Sequence, residues 1–107
     1  MKILFSADVE DYLFNLIETL YQKNYFSFYE NAEQYVFELI NDIQQNIPIK
    51  TKHISPPRFR KYGTHYIIYR PNNHTTWYIF FKFKKDKFLI KYITNNHVSA
   101  QYIRGLK

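Results

Sequence analysis

Apolar residues in the first half of the chain recur at helical spacing. Val9, Tyr12, Leu13, Leu16, Ile17, Leu20 and Tyr21 fall at offsets 0, 3, 4, 7, 8, 11 and 12, the stripe of an amphipathic helix. Ser6 stands where an N-cap is needed, and Asp8, Glu10 and Asp11 occupy the first turn, where the helix dipole favours anions. Lys23-Asn24 ends this helix, and a short strand, Lys2–Phe5, precedes it. A second stripe runs through Phe28, Ala32, Tyr35, Val36, Leu39, Ile40, Ile43 and Ile47. Ser27 and Glu30 before it have the S-x-x-E spacing of a capping box, and Pro48 stops it. The connection is short, which predicts an antiparallel hairpin. Each helix has one apolar stripe, so the pair needs a further surface to cover.

The period changes to two in the second half. Arg58–Tyr62 reads as a short basic strand, Gly63-Thr64 as a turn, and His65–Arg70 as a β-branched and aromatic strand. Pro71–His74 is a loop. In Thr76–Lys84, Trp77, Ile79, Phe81 and Phe83 face one way and Tyr78, Phe80, Lys82 and Lys84 the other. Lys85-Asp86 centres a hairpin into Phe88–Thr94, where Phe88, Ile90 and Tyr92 share a face opposite Leu89, Lys91 and Ile93. Ile49–Pro57 reads as a connection, and Val98–Lys107 is ambiguous. The expected fold is α+β over residues 1–107 as one domain, in the order β-α-α-β-β-β-β. An N-terminal strand and a two-helix hairpin pack on one face of a mostly antiparallel sheet, leaving the other face partly open.

Charge sharpens this picture. Residues 1–47 hold eight acids and two bases, a net of −6, whereas residues 48–107 hold thirteen bases and one acid, Asp86, a net of +12. An acidic helical layer against a basic sheet predicts a surface for phosphate or an acidic partner; the plainer alternative is a solvated lysine-rich face. Cysteine is absent, which excludes disulfides and thiolate metal sites. Met1–Phe5 is too short for a signal peptide and no apolar run is long enough for a membrane span, so a cytoplasmic location and no membrane partner are expected. There is no P-loop, dinucleotide fingerprint or nucleophile elbow, and the four histidines lack metal-ligand spacing. Cations, histidine and tyrosine remain as chemistry: Arg58, Arg60 and Lys61 in one cluster, Lys82, Lys84, Lys85, Lys87 and Lys91 in another, with Tyr66, Tyr78 and Tyr102 between them. Taken singly, each has an ordinary structural explanation as an edge lysine, a packed tyrosine or a core histidine.

The stretch Arg58-Phe59-Arg60-Lys61-Tyr62-Gly63-Thr64-His65-Tyr66-Ile67-Ile68-Tyr69, followed by Tyr92-Ile93-Thr94-Asn95-Asn96-His97, and the order of elements over about residues 2–102, resemble the RelE/ParE toxins of bacterial toxin–antitoxin modules. The resemblance implies helices on one sheet face and a groove for mRNA or a partner on the other. It implies cleavage of mRNA on the ribosome without a cofactor or metal, by attack of the 2′-OH on the adjacent phosphate. Arg58 and Arg60 match the basic positions leading into the glycine turn. Lys61, Lys82, Lys84 and Lys91 would bind phosphate or RNA, and His97, Tyr66, Arg60 and Tyr102 are the catalytic candidates. Tyr66 stands where many members place an arginine, which removes a phosphate ligand. An acidic antitoxin protein is the implied partner. A gyrase-directed or inactive toxin relative, and an unrelated basic binding module, are the competing readings, because fold alone does not assign a target.

Overall fold

The computed structural model describes residues 2–97 and 106. Two helices lie on one face of a five-stranded mixed sheet of order β1-β5-β4-β3-β2. The elements are β1 (Lys2–Phe5), α1 (Ala7–Gln22), α2 (Tyr29–Asn46), β2 (His53–Ile54), β3 (His65–Tyr69), β4 (Trp77–Lys84) and β5 (Lys87–Asn95). β1 runs parallel to β5, and every other pairing is antiparallel. The expected α+β layering therefore holds, with one parallel edge.

The helices form for the reasons their spacing suggests. Ser6 caps α1, its Oγ accepting the amide of Val9 at 3.2 Å. Val9, Leu13, Leu16 and Ile17 of α1 and Ala32, Val36, Leu39 and Ile43 of α2 are buried against Ile67, Trp77, Ile79, Phe81, Phe88, Ile90 and Ile93 of the sheet. The capping box does not form: α2 begins after Phe28, which makes no side-chain cap bond. Past α2, Lys50 ties the hairpin to the sheet. Its ammonium donates to Asp42 Oδ2 and to the Ile68 carbonyl, both at 2.7 Å, and lies 5.2 Å from the Tyr69 ring centroid. That carbonyl lies on β3 beyond the two residues that pair with β2, so the lysine covers an otherwise open stretch of sheet edge.

Three expectations need correction. Arg58–Tyr62 is not a strand: Pro57–Phe59 forms a 3₁₀ turn and Arg60–Tyr62 continues as turn. Consecutive prolines, Pro56 and Pro57, supply no backbone donor, and Pro57 suits the first position of a helical turn. The strand that pairs with β3 lies earlier, at His53–Ile54, within the segment read as a connection. Nor does β5 alternate throughout. Phe81 pairs with Ile90 and Phe80 with Tyr92, leaving Lys91 as the extra residue of a bulge. The bulge reverses the parity, so Phe88, Ile90 and Ile93 face the helices while Tyr92 joins the opposite side.

That opposite side is not an open groove. Phe59, Tyr66, Tyr78 and Phe80 form a second buried cluster, with Tyr62, Ile68, Tyr92 and Leu106 packed on it. The 3₁₀ turn is its cover. Phe59 stacks on Phe80 at 5.0 Å between centroids, and Tyr62 on Tyr92 at 4.1 Å. The cover sits tightly because Gly63 lies flat against β4: a Cβ there would come within 2.6 Å of the Phe81 backbone nitrogen and 2.8 Å of its carbonyl oxygen. Gly63→Ala is therefore expected to lower stability in urea by about 1–3 kcal/mol, the usual range for overpacking. A variant as stable as the parent would show that the 3₁₀ cover can lift without loss.

Candidate nucleic-acid interface and an aromatic cleft

Strand alternation decides which cations share a face. Lys82 and Lys84 continue the parity of Tyr78 and Phe80, away from the helices. Across the ladder, Lys82 faces Leu89 and Lys84 faces Lys87; on the parallel edge, Lys87 neighbours Lys2 and Leu89 neighbours Leu4. Lys2, Lys82, Lys84 and Lys87 thus surround two exposed leucines on the helix-free face, near the β4–β5 turn that carries Asp86. Like charges placed opposite one another weaken a sheet by a few tenths to about 1 kcal/mol per pair. A counter-charged partner would offset that cost.

Arg58, Arg60 and Lys61 are exposed on the 3₁₀ cover of the same face. The Arg58 guanidinium lies 5.1 Å from the Phe59 ring and the Lys61 ammonium 5.1 Å from the Tyr62 ring. Gly63 abuts Phe81, the residue before Lys82, so the cover and the lysine cluster are neighbours. Lys91, at the bulge, is half-buried. Arg58, Arg60, Lys61, Lys82 and Lys84 are accordingly gathered on one side, and all eight helical acids belong to the other layer.

The proposed proton-transfer residues do not join them. Tyr66 is 2% exposed, inside the second cluster, with His53 stacked on it at 5.0 Å. His97 follows Asn95, which pairs with Trp77 at the far end of β4 from Lys84. Those ends are seven residues apart, about 23 Å at ~3.3 Å per residue. Tyr102 lies outside the described residues. Among the described residues, no three His, Asp or Glu side chains gather as a metal site would require.

His97 instead borders a cleft of about 640 Å³ on the helix side. The cleft is framed by two asparagine-rich turns. Asn72 Oδ1 accepts the amides of His74 and Thr75 at 2.8 and 2.9 Å, and Asn96 exchanges bonds with the β3–β4 loop through Thr76 N and His74 O. The His97 ring is held by Thr75, Nε2 to Oγ1 at 2.9 Å, and its amide donates to Asn95 Oδ1 at 2.8 Å. Tyr12, Phe26, Tyr35 and Trp77 form the walls, with Trp77 Nε1–H donating to the Tyr35 hydroxyl at 3.0 Å. Burial, reinforced by the Tyr92 and Tyr35 phenols, pushes the Tyr12 phenol up to about 12. The sequence does show the Asn72-Asn73 and Asn95-Asn96 turns, but nothing in it says they meet; Tyr12 and Tyr35 look like ordinary stripe residues.

No family model, curated protein or solved structure matches the chain.

Because the Tyr12 phenol lies above its ordinary value when folded, the unfolded chain ionises first as pH rises past 10, while the folded chain holds its proton until about 12. Stability contributed by the neutral phenol is full below pH 10 and is lost between pH 10 and about 12. Stability measured by urea unfolding should be lower at about pH 11 than at about pH 9 by ~1 kcal/mol from this group, and Tyr12→Phe should remove that part of the fall. An unchanged pH dependence in Tyr12→Phe would refute the assignment.

Proposed function

We propose that the chain is the toxin of a type II toxin–antitoxin module, of RelE/ParE architecture, and that it acts through the basic, helix-free face on mRNA at the ribosome. The observation that carries this reading is the separation of charge: Lys2, Lys82, Lys84, Lys87, Arg58, Arg60 and Lys61 on one side of the sheet, the acids on the helices of the other. The element order and the two helices on one face also support it. Exposed lysines and arginines neutralise phosphate, and an acidic antitoxin would silence the protein by covering the same cations.

The geometry favours binding as the basis of toxicity over chemistry centred on His97. A proton donor or base must lie within hydrogen-bond reach of the reacting phosphate, directly or through one water. His97 is ~20 Å or more along the sheet from the lysine tip, by the rise of the intervening strand, and Tyr66 is enclosed. A blocked ribosome or another target such as gyrase then becomes the second reading, supported by that same separation.

Induced expression in a bacterial host, following growth and mRNA cleavage ends together, tests the proposal. Growth arrest is expected, relieved by Lys82→Glu/Lys84→Glu and retained in folded His97→Ala. Cuts within translated mRNA would establish an endoribonuclease; arrest with intact mRNA would establish a binding toxin. Absence of arrest in folded, expressed protein would overturn the toxin reading. In vitro, Lys82→Ala/Lys84→Ala should reduce the salt slope of single-stranded RNA binding by about 0.7 per lost phosphate contact; an unchanged slope would place RNA elsewhere.

A further inference from the structure

The geometry points to the aromatic cleft between the helical hairpin and the β3–β4 loop as a binding site for a purine or pyrimidine base, separate from the basic face. Its volume, about 640 Å³, lies within the roughly 300–1,000 Å³ range of small-molecule sites. Its walls include planar rings set at an angle to one another: Phe26 and Tyr35, both half-buried, are 5.5 Å apart at 51°, and the buried Trp77 backs Tyr35 at 6.5 Å and 54°. Phe26 and Tyr35, so tilted, do not use up each other's faces, and a flat guest can lie against them.

The polar lining narrows the guest. Among the described residues it is mostly neutral: the amides of Asn15 and Asn72, the hydroxyls of Tyr12 and Tyr35 and the imidazole of His97, with one ammonium, Lys23, and one carboxylate, Glu38. Asn72 uses its carbonyl oxygen on the loop amides, which leaves its NH₂ as a donor at the cleft. The Tyr35 oxygen accepts from Trp77, so its own proton can be donated. An acyl chain would leave these groups unpaired, which is costly. Among the described lining residues an inorganic anion would meet one ammonium offset by one acid, and a metal ion would find one carboxylate and one imidazole, fewer than the three ligands such a site needs. A flat, neutral ring with donors and acceptors on its edge matches both the walls and the lining. Such a base can arrive as a free nucleotide or as one nucleotide of an unpaired strand.

Trp77 is the only tryptophan in the chain and forms part of the wall, so its fluorescence reports on this site. The full chain is titrated with AMP, GMP, CMP and UMP, then with single-stranded tetranucleotides containing whichever base binds. Saturable quenching by at least one mononucleotide is expected, with a dissociation constant below about 1 mM. Asn72→Asp keeps the oxygen that holds the loop and removes the amide donors; Asn15→Ala changes an exposed helix position that favours alanine. Each should weaken binding by about fivefold or more, while Thr51→Ala, at an exposed position outside the cleft, leaves mononucleotide affinity unchanged. A tetranucleotide that binds more tightly than the mononucleotide identifies the base of a strand as the guest; equal affinity identifies the free nucleotide. No saturable change with any of the four up to ~5 mM, in protein with native circular dichroism, would overturn the inference. Binding indifferent to both asparagine variants would overturn it equally.

Discussion

A central strand with apolar side chains on both faces governs this structure. Trp77, Ile79 and Phe81 of β4 point at the helices, and Tyr78 and Phe80 point the other way; all five are buried. A strand of this kind must be covered twice. The helical hairpin covers one face over a stripe of nine buried helical and post-helical residues ending at Ile47. The other face is covered by much less chain, a single 3₁₀ turn whose Phe59 and Tyr62 lie on Phe80 and Tyr92. A large-to-small change such as Phe80→Ala removes about 3–5 kcal/mol in ordinary cores, so this small second core is a substantial part of a marginal total. Gly63 is what lets it close.

Two local devices reconcile the two covers. The bulge at Lys91 reverses the strand's parity, so that β5 sends Phe88, Ile90 and Ile93 to the helices and Tyr92 to the aromatic cover. Without that extra residue, either Tyr92 or Ile93 would be on the wrong side. The Lys50 ammonium, shared by Asp42 and the Ile68 carbonyl, fastens the end of the hairpin to the edge that the short β2 leaves unpaired. This is a half-buried, doubly bonded pair, a more secure tie than an exposed surface ion pair.

The same layering distributes charge. Helices on one face put their acids on one side, and the helix-free face carries Lys2, Lys82, Lys84 and Lys87 at the β4–β5 tip and Arg58, Arg60 and Lys61 on the 3₁₀ cover. Aromatic rings pack over that face, in place of the expected open groove. The concave site forms at the opposite end of the sheet, where the asparagine turns bring the β3–β4 loop to the end of β5 and the hairpin supplies Tyr12 and Tyr35. No helix among the described residues is long and apolar enough to cross a membrane.

Much of this was legible in the chain because it depends on periodicity. Both helices, the alternation of β4, the Lys85-Asp86 turn and the division of charge at about residue 47 follow from side-chain spacing alone, a local property of helix and strand geometry. Four features depended on distant contacts. A two-residue strand at His53–Ile54 exists only because β3 offers an edge. Arg58–Tyr62 has strand-like composition but folds as a turn, since Phe59 and Tyr62 gain more by capping Phe80 and Tyr92 than by pairing. The Lys91 bulge answers a demand from both layers at once. Finally, Tyr66 and His97 look equally available in the sequence, yet one is enclosed and the other borders the far cleft. Spacing along a chain determines which faces are apolar; only packing decides which of those faces are covered, and by what.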